Sequence, residues 1–518
     1  MLQQRSSGIL AHISSLPSAH GIGDIGISSR IFLDFLADAD QGCWQFLPTG
    51  PTHPLFDHSP YMSLSAFAGS ALLISPELLH ADGLLSREEL TSSAVFSPYT
   101  TEFKKVTTYK QRLLETAFRR FDPALLAGYQ QFLAETDWLE DYALFMTLKG
   151  LHQGKGWFDW PRKLATREPG ELALFAAAHQ QQVDYYRFEQ FVFFRQWQEM
   201  RAYATKLGIA LFGDLPIYVG YDSADVWAHQ EIFALDRKSL RPLQVSGVPP
   251  DYFSKTGQRW GNPLYDWQNS SPKVQSGLLD WWCRRLAHLF TMVDIARIDH
   301  FRGFESYWAI PEENSTALLG EWLPGPGKRF FAAIGERLGQ LNIVAEDLGI
   351  ITPEVEKLRD ELHFPGMKIL QFAFDGNSEN SYLPYNYPTP NCVVYTGTHD
   401  NDTTVGWFLS DRLDDRERAR IRKLANRQPT AAHGVHQDLI YLAQSSISAL
   451  CIFPLQDILG FGNDCKMNSP GVAEGNWRWR CAAEFLSNEI SRELAESTRL
   501  FGRGRQLPPA ESYQETDK

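Results

Sequence analysis

Val293-Asp294-Ile295-Ala296-Arg297-Ile298-Asp299-His300 is an apolar run that ends in charge, and Asn342-Ile343-Val344-Ala345-Glu346-Asp347 repeats the pattern. Short runs that are apolar on both parities and close on polar residues suit strands buried on both faces of a parallel sheet. Three further runs precede them, Gly8–Ile13, Cys43–Leu47 and Ile209–Leu215. Three more follow, Met367–Phe372, Asn391–Thr396 and Ala449–Pro454. Met292–Ile298 and Asn342–Glu346 are then strands four and five of eight. Helical patterns such as Ser29–Ala39 and Gly277–Leu289 lie between them. Eight such strands with helical crossovers predict an α/β chain folded as a (β/α)8 TIM barrel.

The spacing is uneven. About 160 residues separate strands two and three and about 75 separate three and four, far beyond ordinary connections. The first insertion, about 85–200, carries helical patterns such as Asp137–Leu148 and Tyr185–Leu207. The second, about 222–276, is rich in Gly, Pro and aromatic residues and reads as a loop insertion. Insertions after barrel strands land at the carboxyl face, where barrel active sites are built. Residues 1–505 are expected to form one catalytic barrel domain, and 506–518 a flexible tail. Ala482–Leu500 reads as helix, so no C-terminal β-sandwich domain is expected.

A formal net charge of −13 argues against a nucleic-acid partner, which needs clustered Lys and Arg. The six cysteines are scattered, with no Cys-x-x-Cys and no metal-type Cys/His spacing. They read as small reduced core residues. The amino terminus lacks the apolar stretch of a signal peptide, and no apolar run is long enough to span a membrane. A cytoplasmic protein with no membrane partner is therefore expected, acting as a monomer or weak homo-oligomer. No cofactor and no metal is called for.

On strand four, alternation points Arg297 and Asp299 the same way and Ile298 the other. An Arg two residues before an Asp can hold that carboxylate ionised, as a nucleophile requires. The same pair would serve equally well as a buried ion pair capping the strand. On strand five, Glu346 shares parity with Val344 and enters the barrel mouth, which leaves Asp347 to cap the next helix or bind backbone. A partly desolvated glutamate suits a general acid. After strand seven, Thr398-His399-Asp400-Asn401 brings a further acid to the same face. Carboxylates at the ends of strands four and five, with an acid after strand seven, suit retaining glycoside chemistry.

Arg297-Ile-Asp-His-Phe-Arg-Gly303, Ala345-Glu-Asp-Leu-Gly349 and Thr398-His-Asp-Asn401 resemble motifs of the 4-α-glucanotransferases, a family related to the α-amylases. So do Ser59-Pro60-Tyr61, Gly213–Tyr218, Gly247–Asp251, Gly257–Pro263 and Met467–Gly471. The resemblance runs from Gly8 to about Trp479. It implies transfer of α-1,4-glucan segments between malto-oligosaccharides through a covalent glucosyl-enzyme intermediate. Asp299 would be the nucleophile, Glu346 the acid/base and Asp400 the transition-state stabiliser. Arg297 would orient Asp299, while His300, His399, Asp214 and Asp375 would bind sugar hydroxyls. Tyr61 and Trp260 would stack on acceptor-side rings, with Asp251 and Gln258 in the same overhanging loop. Ser59 and Asn468 complete the substrate-binding set. Gly50–Ser59, with His53 and His58, departs from the Gly-rich, Tyr-bearing segment usual in the family. The alternative is a hydrolase of α-amylase type with the same pair; a glucan-binding protein without turnover is the other reading.

Overall fold

The computed structural model describes residues 4–91, 95–124, 126–250, 254–425 and 434–506. Eight parallel strands form one sheet: β1 (Ser6–Leu10), β2 (Cys43–Gln45), β3 (Ala210–Pro216), β4 (Ile295–Asp299), β5 (Ile343–Ala345), β6 (Gly366–Ile369), β7 (Cys392–Tyr395) and β8 (Leu450–Pro454). Their order is β6-β7-β8-β1-β2-β3-β4-β5. All eight coincide with the runs read from sequence, because each is apolar on both parities and buried on both faces. The ends differ by a few residues: Met292 closes the helix Pro272–Met292, and Ile13 opens a short 3₁₀ turn.

β5 and β6 stand at the two ends of that order, and the seam between them is nearly closed. Ala345 donates its backbone N–H to the Pro365 carbonyl at 2.9 Å. One step further on, the Asp347 carboxylate replaces a strand rung: Oδ1 accepts the Met367 N–H at 2.7 Å. Its Oδ2 binds the Arg359 guanidinium from the helix Pro353–Glu361. The clamp needs Gly366, since a Cβ there would lie 2.3 Å from Asp347 Oδ2. Asp347 thus binds backbone, the second of the two roles its parity left open.

Helices Phe103–Arg120, Leu139–Leu151 and Gln180–Lys206 occupy the first insertion. The second insertion departs from the loop expected. Gln244–Val248 and Gln258–Pro263 join Ser306–Pro311 and Glu321–Pro324, which follow β4, in a four-stranded antiparallel sheet. Gly and Pro hid these strands from a propensity reading, but Gly247 is what permits the pairing: a Cβ there would stand 2.2 Å from the Gln258 carbonyl. After β8 the α-helices of the described chain are Leu455–Ile458 and Asn488–Leu500, the latter laid against Ile27–Asp38. Five of the six cysteines are buried, and all are unpaired. Among the described residues no helix is long and apolar enough to cross a membrane.

Asp347→Ala should strip Met367 and Arg359 of their shared partner and destabilise the protein by about 3 kcal/mol, the usual cost of breaking a buried pair. Asp347→Asn keeps an oxygen for Met367 and should lose less. Urea denaturation midpoints measure both, and identical losses in the two variants would deny the carboxylate its part in the seam.

Candidate active site

Every principal site residue lies at or just past the carboxyl end of a barrel strand. Arg297 and Asp299 on β4 face one way, and Arg297 Nη2 meets Asp299 Oδ1 at 2.9 Å. The other arm of the guanidinium grips Asp214 of β3 through Nη1, at 2.9 and 2.8 Å to its two oxygens. The Arg297 and Asp214 side chains are 6% and 1% exposed, whereas Asp299 is 32% exposed. Asp214 is therefore sealed behind Arg297, and only Asp299 faces the open mouth. The Asp214 carboxylate, expected to bind sugar hydroxyls, is held by Arg297 and by Tyr61, whose hydroxyl donates to Oδ2 at 2.7 Å.

Glu346 follows β5 and accepts two backbone N–H groups, from Leu348 at 2.8 Å and from His300 at 2.7 Å. The His300 bond depends on a left-handed backbone at that residue, φ 56°, an uncommon conformation for a residue with a Cβ. Such outliers concentrate where geometry is imposed by function. Burial pushes the Glu346 carboxyl up to about 7, against the pull of Arg297. Burial likewise raises Asp299 to about 6, with Arg297 again holding it down. Burial thus raises both carboxyls above their ordinary range, with Arg297 opposing the rise at each.

Asp400, after β7, is 44% exposed and accepts a hydrogen bond from Asn468 Nδ2 at 2.6 Å. His399 Nε2 lies 3.3 Å from Asp400 and 3.0 Å from the Tyr61 hydroxyl. Tyr61 stacks on His399 with centroids 5.3 Å apart. Trp260 instead meets the edge of His300 at 4.8 Å and donates Nε1 to Gln258 Oε1 at 3.2 Å. Tyr61 thus lies beside Asp214 and His399, and Trp260 beside His300. Ser59 shapes the turn, its Oγ accepting the Tyr61 N–H at 3.3 Å. Asp375 is exposed and caps its own turn through the Asn377 N–H at 2.9 Å, apart from the carboxylate row in all its described contacts. Asp251 lies outside the described residues.

Reading the sequence missed several neighbours. Trp477, also left-handed at φ 64°, packs 5.9 Å from Tyr61 and 6.0 Å from His399. Alternating aromatics in Asn476-Trp477-Arg478-Trp479 were the available signal. His12, past the end of β1, is kept neutral by burial and by His399, its Nδ1 without a hydrogen-bond partner among the described residues. In the divergent Gly50–Ser59 segment, His58 stacks on Phe103 at 4.1 Å and Asp57 binds Arg478 at 2.6 Å, so this loop is pinned to the 476–480 strip. Among the described residues no group of three or more His, Cys, Asp or Glu could hold a metal ion.

A family model described as 4-alpha-glucanotransferase matches residues 11–486. A 4-alpha-glucanotransferase from Synechocystis is 51% identical over 97% of this chain and 99% of its own. Another from Thermus thermophilus is 44% identical over 95% and 99%. Among solved structures, the amylomaltase from Streptococcus agalactiae in complex with acarbose superposes with a TM-score of 0.92, at 37% identity, covering 97% of this chain and all of that one.

Arg297→Ala should leave Asp299 facing Asp214 with no cation between them, and its carboxyl should titrate well above 6. Carbon-13 NMR of aspartate-labelled protein reads this directly. An unmoved titration would mean that Arg297 does not govern Asp299.

Proposed function

The chain belongs to the 4-alpha-glucanotransferase family, and from that premise we propose that it moves α-1,4-glucan segments between malto-oligosaccharides by retaining double displacement. The observation that carries this reading is the asymmetry of the two central carboxyls, Asp299 tied to a guanidinium and Glu346 to two backbone N–H groups. Asp299, ionised by Arg297, attacks the anomeric carbon while Glu346 gives its proton to the departing glycosidic oxygen. The glucosyl ester so formed leaves Glu346 ionised. Glu346 then takes the proton of the acceptor 4-hydroxyl as that oxygen displaces Asp299, restoring both groups. Asp400 supplies negative charge to the oxocarbenium-like transition state, and Asn468 holds it in position. Asp214 acts through Arg297, and Tyr61 offers a face to the ring being transferred. Trp260, beside His300, serves the acceptor.

Transfer rather than hydrolysis demands that a sugar outcompete water at the intermediate. Incubation with maltotriose separates the two: glucose with longer oligomers and no net rise in reducing ends supports transfer. A steady rise in reducing ends would sink it in favour of the hydrolase.

Glu346→Gln should lose about 10²–10⁴ in rate. The wild-type rate should rise with pH as Asp299 ionises near 6 and fall as Glu346 loses its proton near 7, giving a narrow bell. Near-full activity in the variant, or a flat profile between pH 5 and about 8, would refute the pair.

A further inference from the structure

Asp457 lies on the short helix Leu455–Ile458 that follows β8, is 1% exposed, and forms no ion pair among the described residues. A carboxyl group at that depth without a cation must be satisfied by hydrogen bonds. Three donors serve it, and all come from the chain that continues past β7. Oδ2 accepts the Thr396 hydroxyl at 2.6 Å and the Thr404 hydroxyl at 2.7 Å. Oδ1 accepts the Thr404 N–H at 2.7 Å. Thr396 directly follows β7, Thr404 opens the helix Thr404–Leu409, and both are wholly buried.

The segment between those two threonines carries His399 and Asp400. Within it, Asn401 Oδ1 accepts the Thr398 N–H and hydroxyl, each at 2.8 Å, and Thr398 Oγ1 accepts the Asp400 N–H at 3.3 Å. Those bonds shape the turn but do not fix where it stands over the barrel. Gln371 and Lys466 hold Asp402, and Asn463 holds Thr403. Of these outside contacts, Asp457 is the one that joins the two ends of the loop. Asp400 itself is 44% exposed, with His399 at 3.3 Å and Asn468 at 2.6 Å, so packing does little to locate it. Asn468 also belongs to the chain after β8, so one segment grips both Asp400 and the base of its loop.

We propose that Asp457 is a positioning residue for glucan transfer: by clamping Thr396 to Thr404, it holds Asp400 where positive charge develops on the sugar. This rests on the reading of Asp400 as transition-state stabiliser. A charge serves a transition state only at a set distance, and a displacement of about 1 Å can cost on the order of a hundredfold in rate.

The experiment measures kcat/KM for fluoride release from α-maltotriosyl fluoride with maltotriose as acceptor. Fluoride departs with little help from an acid, so this rate follows Asp299 and Asp400 rather than Glu346. Asp400→Asn should lower it by about 10²–10³. Asp457→Ala removes the whole clamp and should lower it about a hundredfold. Asp457→Asn should recover most of that loss, since its oxygen can accept the Thr404 N–H while its amide donates to the two hydroxyls. In the Asp400→Asn background, Asp457→Ala should change the rate by less than about threefold, because the group it positions is already lost. Losses that multiply would make Asp457 a purely structural residue and overturn the proposal. So would near-full activity in Asp457→Ala, or an Asn variant no better than the Ala one. If Asp457→Ala does not fold, Thr396→Val removes one bond of the clamp at constant shape. It should cost about tenfold, the scale of one hydrogen bond, with the same non-additivity; no loss, or a multiplying one, would again overturn the proposal. Near-full activity in Asp400→Asn would instead bring down the reading of Asp400, a pattern distinct from all of these.

Discussion

The Arg297 guanidinium stands between two carboxylates, Asp214 and Asp299, that could not otherwise share the floor of the barrel mouth. An isolated buried carboxylate protonates rather than remain charged in a medium of low dielectric. Arg297 opposes that tendency at Asp299 without cancelling it, and two acids to one cation leave an excess of negative charge. The excess suits a site in which positive charge must develop on a sugar. Burying an ion pair is a poor route to stability, since desolvation offsets most of the attraction. What the pair gains is geometry: Asp214, gripped through both oxygens, sets the plane of the guanidinium, and the guanidinium sets Asp299.

The second carboxyl is controlled by different means. Among the described residues Glu346 forms no ion pair; it takes two backbone N–H groups, one of them at the left-handed His300. Backbone donors position a carboxyl firmly without supplying a full charge, so burial can raise it to about 7. Its neighbour Asp347 does the opposite work, facing away to close the β5–β6 seam. Adjacent acids just past β5 therefore point to opposite sides, Asp347 into the seam and Glu346 to the His300 and Leu348 N–H groups.

That division was legible in the sequence, as were the eight barrel strands and the Arg297–Asp299 pairing, because period-two alternation and double-sided burial leave direct marks on residue order. Less local features left none. The antiparallel sheet arises from strands 244–248, 258–263, 306–311 and 321–324, whose Gly and Pro content suggests loop until the pairing is seen. The sequence marks Tyr61 and Trp260 only as aromatics in Gly/Pro-rich turns, and packing alone shows Tyr61 beside Asp214 and Trp260 beside His300. Asp214 reads as any acid at a strand end, and only three-dimensional packing puts Arg297 in front of it. Asp375 shows the converse: its place after strand six is right for a barrel site, yet its described hydrogen bond serves its own turn.

The barrel and the outer sheet divide the work of a transferase in a physically sensible way. Bond cleavage needs groups held to a fraction of an ångström, and these stand on or just past buried strands whose backbone is fully paired. Acceptor selection needs reach, which a barrel rim alone lacks. The strand inserted after β3 carries Trp260 out from the rim and sets it against His300. Each added stacking contact lengthens the residence of a sugar near the intermediate without touching the reacting atoms. Water has no apolar face to stack, so under the transfer reading a ring stacked beside His300 would favour a sugar over water at the intermediate.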